Sequence, residues 1–324
     1  MNQWAGSAAS TGSLLQLFAD AVRRAPTAKG TLNFKNKFRR GIPARRRKPC
    51  RTSERGSRIF GACRICMDSS AGGRLGIRDT TSPLHNPPDV QRILERDLKQ
   101  RVIPVLGEEN VHVRVIASWG RVDVPLIQIA SESQADLVVV GTHQRQGLSR
   151  FWLGSVSRAI LHHAPESVAV VPPHATNEED TGHIPELKRV LVTTDFSELG
   201  NRAIPYAYAL LHRGGNLCIL HVAASSAKTT GTAQAKEHDP VKRQLHCLIP
   251  AEAELRGIET QLEVVEHGEP AAAICQAAER FGADVTCMAS HGRSGLSKTI
   301  LGSVAHDVMT CSKRPLLVVR PPEK

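Results

Sequence analysis

The chain has 324 residues, of which 41% are hydrophobic and 23% charged, and its formal net charge is +11. This length predicts about two domains with apolar cores, and no run of about 18 apolar residues indicates a membrane span. Residues 1–85 hold 17 Lys and Arg against 4 Asp and Glu, so the basic charge belongs to this segment and identifies no ligand for the remainder. We expect a cytoplasmic protein without a membrane partner or a specific nucleic-acid partner.

Residues 1–85 show no hydrophobic period, and three interpretations stay open for them. They are a disordered basic tail, a targeting segment, or a stretch that is not genuine, such as an out-of-frame or mis-started translation. Cys63 and Cys66 form the one close cysteine pair, but no second pair completes a zinc ligand set, so we predict no metal site. We expect the last five of the eight cysteines to be buried thiols.

The remainder of the chain contains an internal repeat. A shift of 148 residues superimposes residues 120–173 on 268–321 without a gap, with 17 identities in 54 positions. Two copies of one domain explain this self-similarity. We place the first at 86–174 and the second at 188–324, joined by a linker at 175–187.

In chain order, the first copy is predicted to begin with a helix and to lack a recognisable opening β-α-β unit. Its predicted elements are helix 88–104, strand 111–117, helix 123–133, strand 136–141, helix 155–163 and strand 167–172. Arg64–Asp68 could be read as an opening strand, but only 20 residues separate Asp68 from Pro88, which is too short for the missing elements. We therefore expect the first copy to be incomplete.

The second copy is predicted to be complete. Its predicted elements are strand 189–194, helix 198–212, strand 216–222, helix 240–256, strand 259–266, helix 269–281, strand 284–290, helix 303–312 and strand 315–319. Short apolar strands that alternate with helices indicate a parallel sheet covered by helices on both faces. The fold class is therefore α/β, with two tandem Rossmann-like domains, each built on a parallel five-stranded sheet with helices on both faces, and with the first domain incomplete.

An anion site is predicted where the fourth strand of the second copy leads into its last helix. Gly302 and Ser303 stand at the start of this helix, whose N–H groups and dipole favour a phosphate. Gly292 permits close backbone approach, and Asp195 ends the first strand, where it could accept hydrogen bonds from a ribose or adenine. The plainer interpretation is that Ser303 only caps the helix.

These residues resemble the signature of the universal stress protein family. In that signature two glycines are separated by two residues, and after nine further residues comes a third glycine, which is followed by Ser or Thr. The resemblance covers about 88–321 and is close only in 189–321. It implies ATP, with or without Mg²⁺, as the ligand. On this pattern Asp195 and Val222 would hold the adenosine end. The phosphates would lie against four further residues, which are Gly292, Gly302, Ser303 and Val304.

Two departures from the signature bear on this prediction. The first signature glycine is Ala289 in the second copy, and a positive φ there would cost about 1 kcal/mol. In the first copy the second glycine is Gln144, and no counterpart of Asp195 is found. We therefore expect one nucleotide site and a vestigial one at Gly141, Gly154 and Ser155. Thr194 and His291 are secondary candidates in the complete site.

Three functions stay open. The first is a stress-response protein that binds ATP or another adenine nucleotide as a regulatory ligand and is not an enzyme. The second is a scaffold or sensor that binds no nucleotide and acts on an unknown protein partner. The third is a slow nucleotide hydrolase, for which no base or metal ligand can be named. In this family the last strands pair across domains, so we expect 167–171 to meet 315–319 within the chain, or in a homodimer.

Overall fold

One sheet of eight strands runs through the protein in this computed structural model, which describes residues 59–62, 88–106, 108, 111–116, 121–141, 155–172, 187–224, 240–291 and 301–321. The strands are β1 Ile59–Ala62, β2 Leu137–Gly141, β3 Ser167–Val171, β4 Arg189–Thr193, β5 Asn216–Ala223, β6 Glu259–Glu266, β7 Val285–Ala289 and β8 Leu316–Val319. They lie side by side in the order β1-β2-β3-β8-β7-β4-β5-β6.

Helices cover both faces of this sheet. They are α1 Pro88–Leu106, α2 Asp123–Glu132, α3 Ser155–His163, α4 Glu198–Asn201, α5 Ala203–Leu210, α6 Glu252–Leu255, α7 Pro270–Phe281 and α8 Ser303–Cys311. Successive strand residues face opposite sides, so Val190 and Val192 join the cluster beneath α5 and α6, whereas Leu191 joins the cluster beneath α2, α3, α7 and α8. Both clusters contain residues of both copies, and the core is therefore continuous across the chain.

The second copy has the predicted five parallel strands. β4 pairs with β5 and β7, β5 with β6, and β7 with β8, all in parallel. Two of its predicted helices are interrupted. The helix predicted over 198–212 is divided at Arg202 into α4 and α5. The helix predicted over 240–256 is helical at 240–246 and again in α6, with Pro250 between them, where a missing N–H and a bulky ring oppose a continuous helix.

The two copies meet through β3 and β8, which pair antiparallel. Val168 lies opposite Val318, Ala169 opposite Leu317, and Val170 opposite Leu316. The predicted pairing of the two last strands within the chain is thereby confirmed. All six residues are buried, and we call the contact between the copies the seam.

Arg320 crosses the seam just after β8. Its backbone N–H donates to Ser167 Oγ at 3.1 Å, and its guanidinium donates to the carbonyl of Leu161 in the last turn of α3. The side chain is buried, with 4% of its surface exposed, and burial lowers its pKa from the ordinary value. A cation at the C-terminal end of a helix complements the helix dipole, so Arg320 ties the second copy to the first.

A histidine pair also bridges the seam. His162 Nε2 lies 3.3 Å from His306 Nδ1, and the two ring centroids are 5.3 Å apart. Burial lowers the pKa of His162, and the positive charges of His306, His163, Arg320 and Arg158 lower it further. Protonation of His162 is therefore opposed in the folded protein.

The first copy corrects two predictions. An opening strand does exist: β1 pairs in parallel with β2, with Ile59 opposite Leu137, as β4 pairs with β7 in the second copy. The four residues of β1 include a glycine, which made the strand too short and too weakly apolar to recognise. The strand predicted over 111–117 is wrong, because residues 111–116 are in neither strand nor helix.

The register of β1 also fixes an equivalence between the copies. Because Leu137 and Val285 are 148 residues apart, Ile59 corresponds to Val190, and the position that matches Asp195 is Arg64. Residues 1–58 and 63–87, which include Arg64, and the predicted linker up to 186 lie outside the described residues. The proposed domain limits and the interpretations of 1–85 remain predictions. Within the described ranges, no helix is both long and apolar enough to cross a bilayer.

Replacing the seam arginine should destabilise the fold. Arg320→Ala leaves the Leu161 carbonyl without this donor, so we expect the free energy of unfolding in urea to fall by about 1–3 kcal/mol. Arg314→Ala, at an exposed position before β8, is the matched control and should change it by less than about 0.5 kcal/mol. Equal effects of the two substitutions would contradict the role given to Arg320.

Acid should weaken the seam. The unfolded chain protonates His162 at a higher pH than the folded chain does, because the folded pKa is lowered. Its contribution to the free energy of unfolding is therefore complete above about pH 6.5 and is lost as the pH falls through the lowered pKa. Urea unfolding between about pH 7.5 and about pH 5 should show a smaller pH dependence for His162→Phe than for the wild type. His212→Gln, at an exposed position away from the seam, is the control and should retain the wild-type profile.

Candidate functional site

The carboxyl ends of β4 and β7 lie where the topology of the second copy predicts a crevice. These neighbouring strands are parallel, and the chain leaves them in opposite directions, from β4 towards β5 and from β7 through α8 towards β8. Ligands of open α/β sheets bind where the strand order reverses in this way, because the two departing loops leave a cleft between them.

Asp195 follows β4 and organises the start of α4. Its Oδ1 accepts hydrogen bonds from Ser197 N at 3.0 Å and from Ser197 Oγ at 2.6 Å. Ser197 Oγ in turn accepts from Gly200 N at 2.8 Å, which caps the helix. A Cβ at Gly200 would lie 2.1 Å from Asp195 Oδ1, so any larger residue there would displace the Asp195 carboxylate. Sequence reasoning missed this structural role of Asp195.

Thr194 is buried and its side chain is already engaged. Its Oγ1 donates to Asn201 Oδ1 at 2.5 Å and accepts from Phe196 N at 2.9 Å. Its carbonyl accepts from His221 Nδ1 at 2.9 Å, which joins the ends of β4 and β5. His221 also packs against the Phe196 ring, with 4.6 Å between the ring centroids. Thr194 therefore fixes the floor of the crevice rather than offering a free hydroxyl.

Two valines supply apolar surface at the same edge. Val222 lies near the end of β5, and Val304 is the second residue of α8. Both are half-buried and pack against the core cluster under α7 and α8. The structure thus brings these predicted residues to one side of the sheet.

The start of α8 is held against the end of β7 by Gly302. Its N–H donates to the carbonyl of Ser290 at 2.8 Å, and its φ of −62° and ψ of 149° are extended rather than left-handed. A Cβ on Gly302 would lie 3.0 Å from the Ser290 oxygen, so glycine permits the close approach. As the N-cap residue, Gly302 makes no side-chain capping bond. Ser303, the first residue of the helix, is exposed.

His291 presents a buried nitrogen that lacks a partner. Its exposed fraction is 7%, and its Nδ1 shares a hydrogen bond with Ser290 Oγ at 2.9 Å. Its Nε2 is buried and has no hydrogen-bond partner among the residues that the structure describes. Burial lowers the pKa of His291, and the charge of Arg320 lowers it further. His291 therefore places a neutral imidazole with an unsatisfied nitrogen two residues after the end of β7, directly after Ser290.

Ala289 causes no backbone strain. Among the described residues, only Gln134 and Phe196 have a positive φ without being glycine. The anticipated cost of a left-handed alanine therefore does not arise at this position. At Gly141, the equivalent position of the first copy, an added Cβ would meet nothing within 4 Å. At this first signature position, the backbone geometry therefore does not require glycine in either copy.

The first copy keeps part of the arrangement. Gly141 ends β2 and Ser155 begins α3, and Ser157 Oγ donates to the Gly141 carbonyl at 2.8 Å. The remaining signature residues Gly154, Gln144 and Gly292 lie outside the described residues. No described group of three His, Cys, Asp or Glu side chains could hold a metal ion.

The cysteine prediction was wrong in part. Cys218 and Cys287 are buried thiols, as expected, whereas Cys247 is exposed. Cys275 and Cys311 form a disulfide between α7 and α8. Their separation of 36 residues gave no sign of this pairing, since only the packing of the two helices brings them together.

Comparison with known proteins identifies the family. The model of the universal stress protein family matches residues 78–172 and 186–320, together more than two thirds of the chain. A universal stress protein of Mycolicibacterium smegmatis is 30% identical over 196 residues, which are 60% of this chain and 64% of that protein. Universal stress protein YxiE of Bacillus subtilis is 32% identical over 145 residues, which are 41% of this chain and 98% of that protein.

A solved structure supports the fold. The crystal structure of a universal stress protein from Archaeoglobus fulgidus has a TM-score of 0.51 and 23% identity, and the match covers 72% of this chain and 78% of that one. The α/β fold with two family segments agrees with the sequence prediction. The chain belongs to the universal stress protein family.

The close approach at Gly302 can be tested without a ligand. Gly302→Ala should lower the free energy of unfolding by about 1–3 kcal/mol, because the added methyl forces α8 away from β7. Gly141→Ala is the control. Alanine lowers the conformational entropy of the unfolded chain, so the free energy of unfolding should stay unchanged or rise by up to about 1 kcal/mol. Urea denaturation of both variants measures the difference. A neutral Gly302→Ala would show that the close approach is not required.

Proposed function

We propose that this universal stress protein binds ATP, or another adenine nucleotide, in its second copy as a regulatory ligand of a stress response. The observation that carries the proposal is the buried Nε2 of His291, which has no partner within the described ranges and lies beside the start of α8, where Gly302 is the N-cap residue. A buried polar atom without a partner costs free energy, and a ligand oxygen would offset that cost.

The phosphates would lie against the start of α8. Unsatisfied N–H groups and the positive end of the helix dipole attract anions at such a position. When Ser290 Oγ donates to His291 Nδ1, the ring proton is on Nε2, which can then donate to a phosphate oxygen. The exposed hydroxyl of Ser303 can donate as well. The family signature supports the same assignment for Gly292, Gly302 and Val304.

The adenosine end would lie across the crevice, near the ends of β4 and β5. Asp195 can accept hydrogen bonds from ribose hydroxyls or from the adenine amino group, and Val222 offers apolar surface to the base. The hydrogen bonds between Asp195 and Ser197 orient the carboxylate before the ligand arrives. Such preorganisation reduces the entropy cost of binding.

We propose one functional site per chain. In sequence, Arg64 matches Asp195 when the register of β1 is continued, and Gln144 matches Gly292 in the repeat. Ser157 also places a hydroxyl on the Gly141 carbonyl, where the second copy has Ala305. These differences support the interpretation that the first copy contributes to the sheet rather than to nucleotide binding.

A pair of equivalent substitutions tests the site. Ser303→Glu introduces a negative charge at the start of α8, where it favours the helix but repels a phosphate. We expect it to weaken ATP binding, measured by titration calorimetry on the full chain, by about 10-fold or more. Ser155→Glu makes the same change at the same position of the first copy and should leave binding unchanged, with one ATP bound per chain.

The results separate the candidate functions. Loss of ATP binding in Ser303→Glu, with unchanged thermal stability, supports the proposal. No ATP binding by the wild type, and no adenine nucleotide released when the purified chain is denatured, would refute it and favour the scaffold function. Equal loss in both variants would refute the assignment of a single site.

A further inference from the structure

The disulfide between Cys275 and Cys311 stands apart from the other described cysteines. Cys275 lies in the middle of α7 and Cys311 is the last residue of α8, with 6.5 Å between their Cα atoms. The bond closes a ring that contains β7, the segment that bears the glycine signature, and α8. It therefore encloses the part of the chain to which we assign phosphate binding.

This pair is accessible, whereas the buried thiols are not. Cys311 is exposed and Cys275 is half-buried. Cys218 and Cys287 are both nearly or fully buried, and burial raises the pKa of Cys218 to about 12 and that of Cys287 further. A thiol must be reachable and able to ionise for oxidation, so of these four cysteines Cys311 is the one that an oxidant in solution reaches most readily.

The surroundings suit the reduced form as well as the oxidised one. The Val308 carbonyl lies 3.5 Å from Cys311 Sγ and 3.8 Å from Cys275 Sγ. Cys311 Sγ also lies 3.7 Å from the carbonyl of Ala271. Each sulfur therefore has a carbonyl acceptor nearby, so both S–H groups can be satisfied once the two sulfur atoms have moved apart after reduction.

We propose that Cys275 and Cys311 form a reversible redox site, oxidised by a peroxide, that locks α7 to α8 and holds the start of α8 in place for the nucleotide. The redox site itself is independent of nucleotide binding, and its effect on affinity rests on the proposed function. The two helices already pack together through Ile274 and Ala278 on one side and Ala305 and Val308 on the other. The disulfide adds a covalent restraint at the far end of that contact.

The chemistry balances with hydrogen peroxide as the oxidant. The Cys311 thiolate attacks one peroxide oxygen, the O–O bond breaks, and hydroxide leaves to take up the released proton as water. The resulting sulfenic acid is attacked by the Cys275 thiolate. The S–S bond forms as the S–O bond breaks, and the hydroxide that leaves takes up the proton lost by the Cys275 thiol to give a second water. Two thiols are oxidised by two electrons, and one peroxide is reduced to two waters. A dithiol reverses the bond by thiol–disulfide exchange.

The experiment compares the full chain after treatment with dithiothreitol and after treatment with hydrogen peroxide. We expect oxidation to yield a peptide that links Cys275 to Cys311 in a non-reducing digest. It should raise Tm by about 5 °C or more, because ring closure restricts the unfolded chain. Dithiothreitol under native conditions should restore the reduced Tm. Cys311→Ser, at an exposed helix end, should abolish the shift, whereas the control Cys247→Ser, at an exposed free cysteine, should retain it.

Two results would overturn the redox site. They are a Cys275–Cys311 bond that native dithiothreitol does not reduce, and an oxidised chain whose Tm equals that of the reduced chain and of Cys311→Ser. In calorimetry with ATP, we expect the oxidised chain to bind at least about 3-fold more tightly than the reduced chain. Equal affinities would overturn the coupling to the nucleotide. If neither form binds ATP, the proposed function fails while the peptide and Tm results still test the redox site.

Discussion

The antiparallel pairing of β3 with β8 is the contact on which the rest of this structure depends. Each copy alone would leave an apolar edge strand with unpaired backbone groups, and the chain removes both edges by pairing them with each other. The two parallel sheets thereby become one mixed sheet, and both core clusters extend across the seam. Arg320 and the His162–His306 contact add polar restraints to a junction that is otherwise apolar.

This junction gives the first copy a structural role. Its three described strands and the helices α2 and α3 cover the edge of the second copy, whose five strands carry the crevice. Helices α3 and α8 lie on the same face of the sheet and touch at the seam, so the first copy holds α8 at its middle. The disulfide holds α8 near its end, and the start of this helix is where we assign the phosphates. Support, rather than a second binding site, is therefore the role we propose for the first copy.

Local periodicity explains which elements could be predicted. The apolar runs of β4, β5 and β7 and the amphipathic pattern of α7 are encoded in consecutive residues, so they were predicted with small errors at their ends. β1 could not be recognised, because four residues carry too little pattern without a neighbour to pair with. Residues 111–116 carry an alternating pattern typical of a strand, yet they take no place in the sheet.

The sequence by itself determined the repeat, the α/β class, the family and the residues at the carboxyl ends of β4 and β7, because each depends on identities at short, fixed spacings. Tertiary structure alone decided the contacts between distant residues. These include the Cys275–Cys311 bond and the His162–His306 contact. The surroundings of His291 Nε2 and the unstrained backbone of Ala289 were also decided by the tertiary structure. The reason is physical: such contacts depend on how helices and strands are oriented over one another, and no local pattern encodes that orientation.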